Sequence, residues 1–131
     1  MLRAAVAALL LAAAPAAGQG VPSGQPVVLW EIRWERVPGA EGEAAQMVLR
    51  FIAPQIGHEG GPGFDAAGPD MDWLCETHAL PVAALPYAAG DVAVITLMDR
   101  PVPRGVPDPE ATQFFQVYDL ESGACEPGAN L

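Results

Sequence analysis

Residues 27–52 read Val27-Val28-Leu29-Trp30-Glu31-Ile32-Arg33-Trp34-Glu35-Arg36-Val37-Pro38-Gly39-Ala40-Glu41-Gly42-Glu43-Ala44-Ala45-Gln46-Met47-Val48-Leu49-Arg50-Phe51-Ile52. Two runs in this stretch repeat with a period of two. Val28, Trp30, Ile32 and Trp34 alternate with Glu31, Arg33 and Glu35, which predicts a strand with one buried apolar face. Ala45, Met47, Leu49 and Phe51 alternate in the same way with Gln46, Val48, Arg50 and Ile52. Pro38 to Gly42 is rich in turn formers and breaks the pattern between them, so the two runs predict an antiparallel hairpin.

Downstream, Pro54 to Pro69 holds eight glycines and prolines among sixteen residues, and this composition predicts a loop. Asp70 follows with the chemistry of a helix N-cap, and Asp72 suits the positive end of the helix dipole. Met71, Leu74, Cys75 and His78 recur at helical spacing. Pro81 is expected to stop that helix. Val92 to Met98 is an unbroken apolar, β-branched run, the mark of a strand covered on both faces. The prolines from 101 to 109 hold the chain extended or turning. Thr112 to Leu120 alternates again, and Cys125 falls in a last short extended segment. The reading is α+β: a small single domain with a mostly antiparallel sheet in the order β-β-α-β-β, one helix and one disulfide.

Working back to the N-terminus, Met1-Leu2-Arg3 precedes the apolar run Ala4 to Ala14, a break at Pro15 and the small residues Ala16-Ala17-Gly18. This is the pattern of a secretory signal peptide over 1–18. It is shorter than the ~20 apolar residues a membrane-spanning helix needs, so no membrane anchor is expected after cleavage. Residues 19–131 would then form the domain, with 19–26 a mobile lead-in, in the periplasm or the secreted space. In an oxidising compartment Cys75 and Cys125 are expected to pair.

The chain has a formal net charge of −10 and no lysine. Removing Arg3 with the leader makes the remainder one unit more acidic. Such a surface repels nucleic acid and anionic lipid, and any charged partner is expected to be a basic protein.

Catalytic chemistry is poorly supplied. No Gly-x-Ser-x-Gly elbow occurs, a lysine nucleophile is impossible, and a paired Cys75 offers no thiolate. No cofactor is implied. The sharpest ligand set is Met71 and His78 on one helix face with His58 from the glycine-rich loop, soft donors suited to copper. Asp99, Arg100 and Arg104 make a candidate anion-binding corner. Trp73 lies off the apolar stripe of its helix and is a candidate interaction residue. These features point to a non-enzymatic exported interaction module with an acidic surface, or alternatively to a small-ligand or metal-binding protein.

Four phrases carry a resemblance: Asp70-Met71-Asp72-x-Leu74-Cys75, Asp99-Arg100-x-Val102-Pro103-x-Gly105, Ala111-Thr112-Gln113-Phe114-Phe115 and Gly123-x-Cys125. Together they resemble a family of small exported alphaproteobacterial proteins with no assigned function. The resemblance implies export and a shared fold over most of the mature chain. It implies no substrate, cofactor or active site.

Overall fold

The two alternating runs form β1 (Val28–Gly39) and β2 (Gly42–Ile52) in a computed structural model that describes residues 20–39, 42–86, 88 and 90–128. The leader read over 1–18 lies outside the described residues. The two strands pair antiparallel from Val28 opposite Ile52 to Gly39 opposite Gly42. One extra residue, Trp30, sits between Leu29, opposite Phe51, and Glu31, opposite Arg50. This bulge removes Trp30 from the row that Ile32 and Trp34 make opposite Leu49 and Met47. The row expected to be buried is largely open, because β1 is the edge of the sheet. Val28 is 66% exposed, Trp30 54% and Trp34 49%.

After a 3-10 turn at Pro54–Gly57 the chain runs through α1 (Phe64–Leu74), a π turn (Cys75–Ala79) and α2 (Leu80–Ala83) without a break. Then come β3 (Val92–Met98), β4 (Gln113–Asp119) and the two-residue β5 (Glu126–Pro127). The sheet order is β1-β2-β3-β4-β5. Among the described residues only β2 and β3 run parallel; the other pairs are antiparallel. The domain is therefore α+β and mostly antiparallel, as expected, with β5 added at the far edge. β3 is central and buried on both faces, as its apolar run predicts. No helix among the described residues is long and apolar enough to cross a membrane.

The helix boundaries differ from the sequence expectation at both ends. The helix begins at Phe64, capped by the extended Gly63, and carries Pro69 inside it. Pro69 has no N–H to offer the preceding turn, but the same turns bury Ala67, Met71 and Leu74, which offsets that loss. Asp70 is not a cap. It is fully buried, and its carboxylate accepts from the Ser23 N–H at 2.9 Å, the Ser23 hydroxyl and Gln25 Nε2 at 2.7 Å. These bonds, with the burial of Val21 and Gln25, tie residues 20–26 to the helix where a mobile lead-in was expected.

At the other end Pro81 does not stop the helix. The Leu80 N–H bonds to the carbonyl of Cys75, one residue further back than in an α-helix. The wider π turn gives the proline ring room that an α turn would deny it.

The helix packs on one face of the sheet. Met47, Leu49, Phe51, Ile95, Leu97 and Tyr118 meet Ala67, Met71, Leu74 and Cys75 there. The Tyr118 hydroxyl donates to Asp72 Oδ1 at 2.6 Å. Burial, then the hydrogen bond to Asp72, raises its pKa far above the usual phenol value, so it stays protonated. Cys75 and Cys125 form the expected disulfide, with Cα atoms 6.2 Å apart, and join the helix to the segment before β5.

Two stability outcomes follow from these contacts. Replacing both cysteines by alanine removes a cross-link closing a loop of 50 residues, and the denaturant midpoint should register a loss of about 4 kcal/mol. Asp70→Ala strands the donors of Ser23 and Gln25. It should cost about 2–3 kcal/mol and speed amide exchange selectively over residues 20–26.

Candidate functional site

The sheet face opposite the helix carries its own cross-strand rows. Glu31, Arg50, Thr96 and Phe115 form one; Arg33, Val48, Val94 and Val117 form the next. Among the described residues no helix covers this face. Nevertheless Arg50 is only 2% exposed and Gln46 and Thr96 5% each, because the loop from 99 to 112 folds back over it. The loop is closed at its base by two bonds: the Asp99 N–H to the Thr112 carbonyl at 3.0 Å, and the Thr112 N–H to Asp99 Oδ1 at 3.1 Å. Val102 is buried beneath the loop, and its carbonyl accepts from Arg50 Nη2.

At the loop's tip the Val106 N–H bonds the Pro103 carbonyl at 3.1 Å, and Gly105 adopts φ +79°. That left-handed conformation suits glycine in a tight turn. The turn sends Arg104 across the sheet to Glu35, where Nε meets Oε1 at 2.8 Å and Nη2 meets Oε2 at 2.9 Å.

Charge organises this face. Arg50 Nη1 donates to Glu31 Oε1 at 2.6 Å, the pairing a buried guanidinium requires. Its Nε is buried without a partner. The hydrogen bond from Arg50 holds the Glu31 carboxyl below the usual range, and the fork of Arg104 does the same for Glu35. Arg33 lies between these two glutamates at 3.6 and 3.9 Å, longer than a hydrogen bond. Two cavities open beside this network. One, of about 410 Å³, is lined by Trp30, Arg33, Arg50, Pro101, Pro103 and Arg104, among others. The other, of about 320 Å³, is lined by Gln46, Thr96, Gln113 and Phe115, with Arg104 in its wall as well.

Of the residues singled out in the sequence, Arg104 alone belongs to this network. Arg100 bonds its neighbour Asp99, at 3.2 Å from Nε and 3.0 Å from Nη2, and stays at the surface. The expected corner of Asp99, Arg100 and Arg104 is therefore assembled only as the Asp99–Arg100 pair at the base of the loop, since Arg104 is drawn across the sheet to Glu35.

The candidate copper ligands occupy three different surroundings. Met71 is fully buried in the core, His58 is exposed after the 3-10 turn, and His78 packs edge-on against Phe51 at 5.4 Å. Among the described residues no group of three or more His, Cys, Asp or Glu is disposed to hold a metal. Trp73 is half-buried and lies 6.2 Å from His78 beside a smaller cavity of about 210 Å³. Burial holds the His78 pKa below the ordinary histidine value, which favours the neutral ring.

The sequence reading passed over Arg33, Arg50, Glu31 and Glu35. Their signal was available in the predicted hairpin, where alternating charges on β1 face an arginine on β2.

The model of a family of unknown function (DUF6497) matches residues 4–129, and the chain belongs to that family. No curated protein and no solved structure matches it.

Glu31 and Glu35 both titrate lower in the folded chain than in the unfolded one. Their pairs stabilise the fold fully above the unfolded value, about pH 4.5, and that contribution is lost as the pH falls through the lowered folded values. Denaturant midpoints measured from about pH 5 down to about pH 3 should therefore decline. Glu35→Gln, which no longer titrates there, should make the decline shallower.

Proposed function

We propose that this protein is a non-enzymatic binding module of the exported space that takes an extended segment of a partner protein along the free edge of β1. The observation that carries this reading is the edge itself. β1 is twelve residues long, pairs with β2 alone among the described residues, and presents Val28, Trp30 and Trp34 to solvent. A strand edge offers a row of unpaired N–H and C=O groups, and proteins usually blunt it with charge, proline or a bulge. Here the bulge lies near one end, at Trp30, and Pro38 near the other, which leaves a regular stretch between them. Main-chain pairing supplies affinity in this mode of recognition, and side chains beside the edge supply choice of partner.

The net charge of −10 favours a basic segment as that partner. Export is supported by the leader pattern over 1–18 and by the disulfide, a bond that persists in oxidising compartments. The non-enzymatic reading rests on the missing nucleophile and on the internal pairing of Glu31, Glu35 and Asp99 with arginines.

A photo-reactive phenylalanine analogue placed at Trp34, and separately at Glu126 on the opposite edge, tests this reading in the native cell. Irradiation should give one dominant protein adduct from position 34, weakened by added salt, and none from position 126. Equal adducts from both edges, or none from either, would remove the edge as the binding surface.

A further inference from the structure

Three of the six cationic side chains of this chain, Arg33, Arg50 and Arg104, line one cavity on the open sheet face. In a protein with no lysine and sixteen carboxylates, that gathers half of the cationic side chains on one surface. Two of the three are committed. Arg50 is bonded to Glu31 and to the Val102 carbonyl, and Arg104 forks onto Glu35. Arg33 is not committed in the same way. It reaches Glu31 and Glu35 only at 3.6 and 3.9 Å, and both glutamates already hold shorter bonds to other arginines. Its side chain is about half exposed, so its fork is open to a ligand.

We propose that this cavity binds the carboxylate of a small organic acid with an apolar body, the carboxylate on Arg33 and the body between Trp30 and the rings of Pro101 and Pro103. Three features select that chemistry. The planar guanidinium matches a carboxylate through two parallel hydrogen bonds. Three guanidinium charges against the two glutamates leave a surplus of one, which a monoanion neutralises. A phosphate dianion would meet Glu31 and Glu35 with charge to spare, in a chain already strongly acidic. Beside the charged residues of the lining, Trp30, Pro101, Val102 and Pro103 supply an apolar wall, and the volume of about 410 Å³ lies within the range of small-molecule sites.

The wall of this cavity also contains an unpaired buried polar atom. Arg50, nine-tenths or more buried, lines the cavity and keeps its Nε without a partner. Buried donors of this kind are rare unless water or a ligand meets them. The site lies on the face of the sheet and shares Trp30 with the edge surface proposed above, but its test reads a small acid and not a protein partner, so the two readings fail separately.

Calorimetric titration of the purified protein with phenylacetate, and with its neutral isostere phenylacetamide, tests the assignment. Phenylacetate should bind and phenylacetamide should not, and strong salt should weaken the binding. Arg33→Gln should lower the affinity about ten-fold or more, and Arg33→Lys, which keeps the charge without the fork, should fall between. Trp30→Ala should weaken binding with the fold intact by circular dichroism, and Arg100→Gln should leave it unchanged. Equal binding of acid and amide, binding indifferent to Arg33→Gln, or no binding of phenylacetate would each overturn the assignment.

Discussion

β3 runs parallel to β2, and this pairing obliges the chain between them to travel back along the whole sheet before β3 can begin. The helical stretch from Phe64 to Ala83 makes that crossing and can cover only one face. Its position decides the remaining assignments. Met47, Leu49 and Phe51 acquire a helix to pack on, and Cys75 comes within reach of Cys125. The residues one step away in sequence, Gln46, Val48 and Arg50, are left on a face that must find its cover elsewhere.

That cover is a loop, and a loop with few apolar residues cannot bury a sheet by hydrophobic contact alone. Only Val102 inserts as an apolar anchor. The rest is held by charge and hydrogen bonding: Arg50 to Glu31 and Val102, Arg104 to Glu35, and Asp99 to Thr112. Desolvating a guanidinium is costly, so Arg50 is tolerable only while the loop and Glu31 are in place. The same economy leaves Arg33 with the longest contacts of the group, and it leaves open space on both sides of Arg104.

Local irregularities turn out to be adjustments to this plan. The π turn at Cys75–Ala79 lets the helix pass Pro81 and sets His78 beside Phe51 and Trp73. The bulge at Trp30 takes one aromatic out of the row read as buried. Neither leaves a local mark in the sequence. A proline reads as a stop and an alternating tryptophan as core, because local rules assume the ideal period that these features break.

Much of the architecture was legible in residues 27–52, in the apolar run at 92–98 and in the two cysteines, where period, β-branching and the presence of a single possible pair each point one way. The start of the helix was not legible, because glycine and proline between 54 and 69 speak for a loop until the sheet is there to bury Ala67 and Met71. Asp70 looked like a cap and became a buried acceptor only once Ser23 and Gln25 were brought to it from far along the chain. Arg50 sat on what alternation alone assigns to the solvent side. Periodicity in a strand states which residues share a face, and that much the sequence determined by itself. Which face is covered, and by what, depends on partners tens of residues away, so the tertiary structure alone decided that Arg50 is buried, that Trp30 and Trp34 are open, and where the arginines gather.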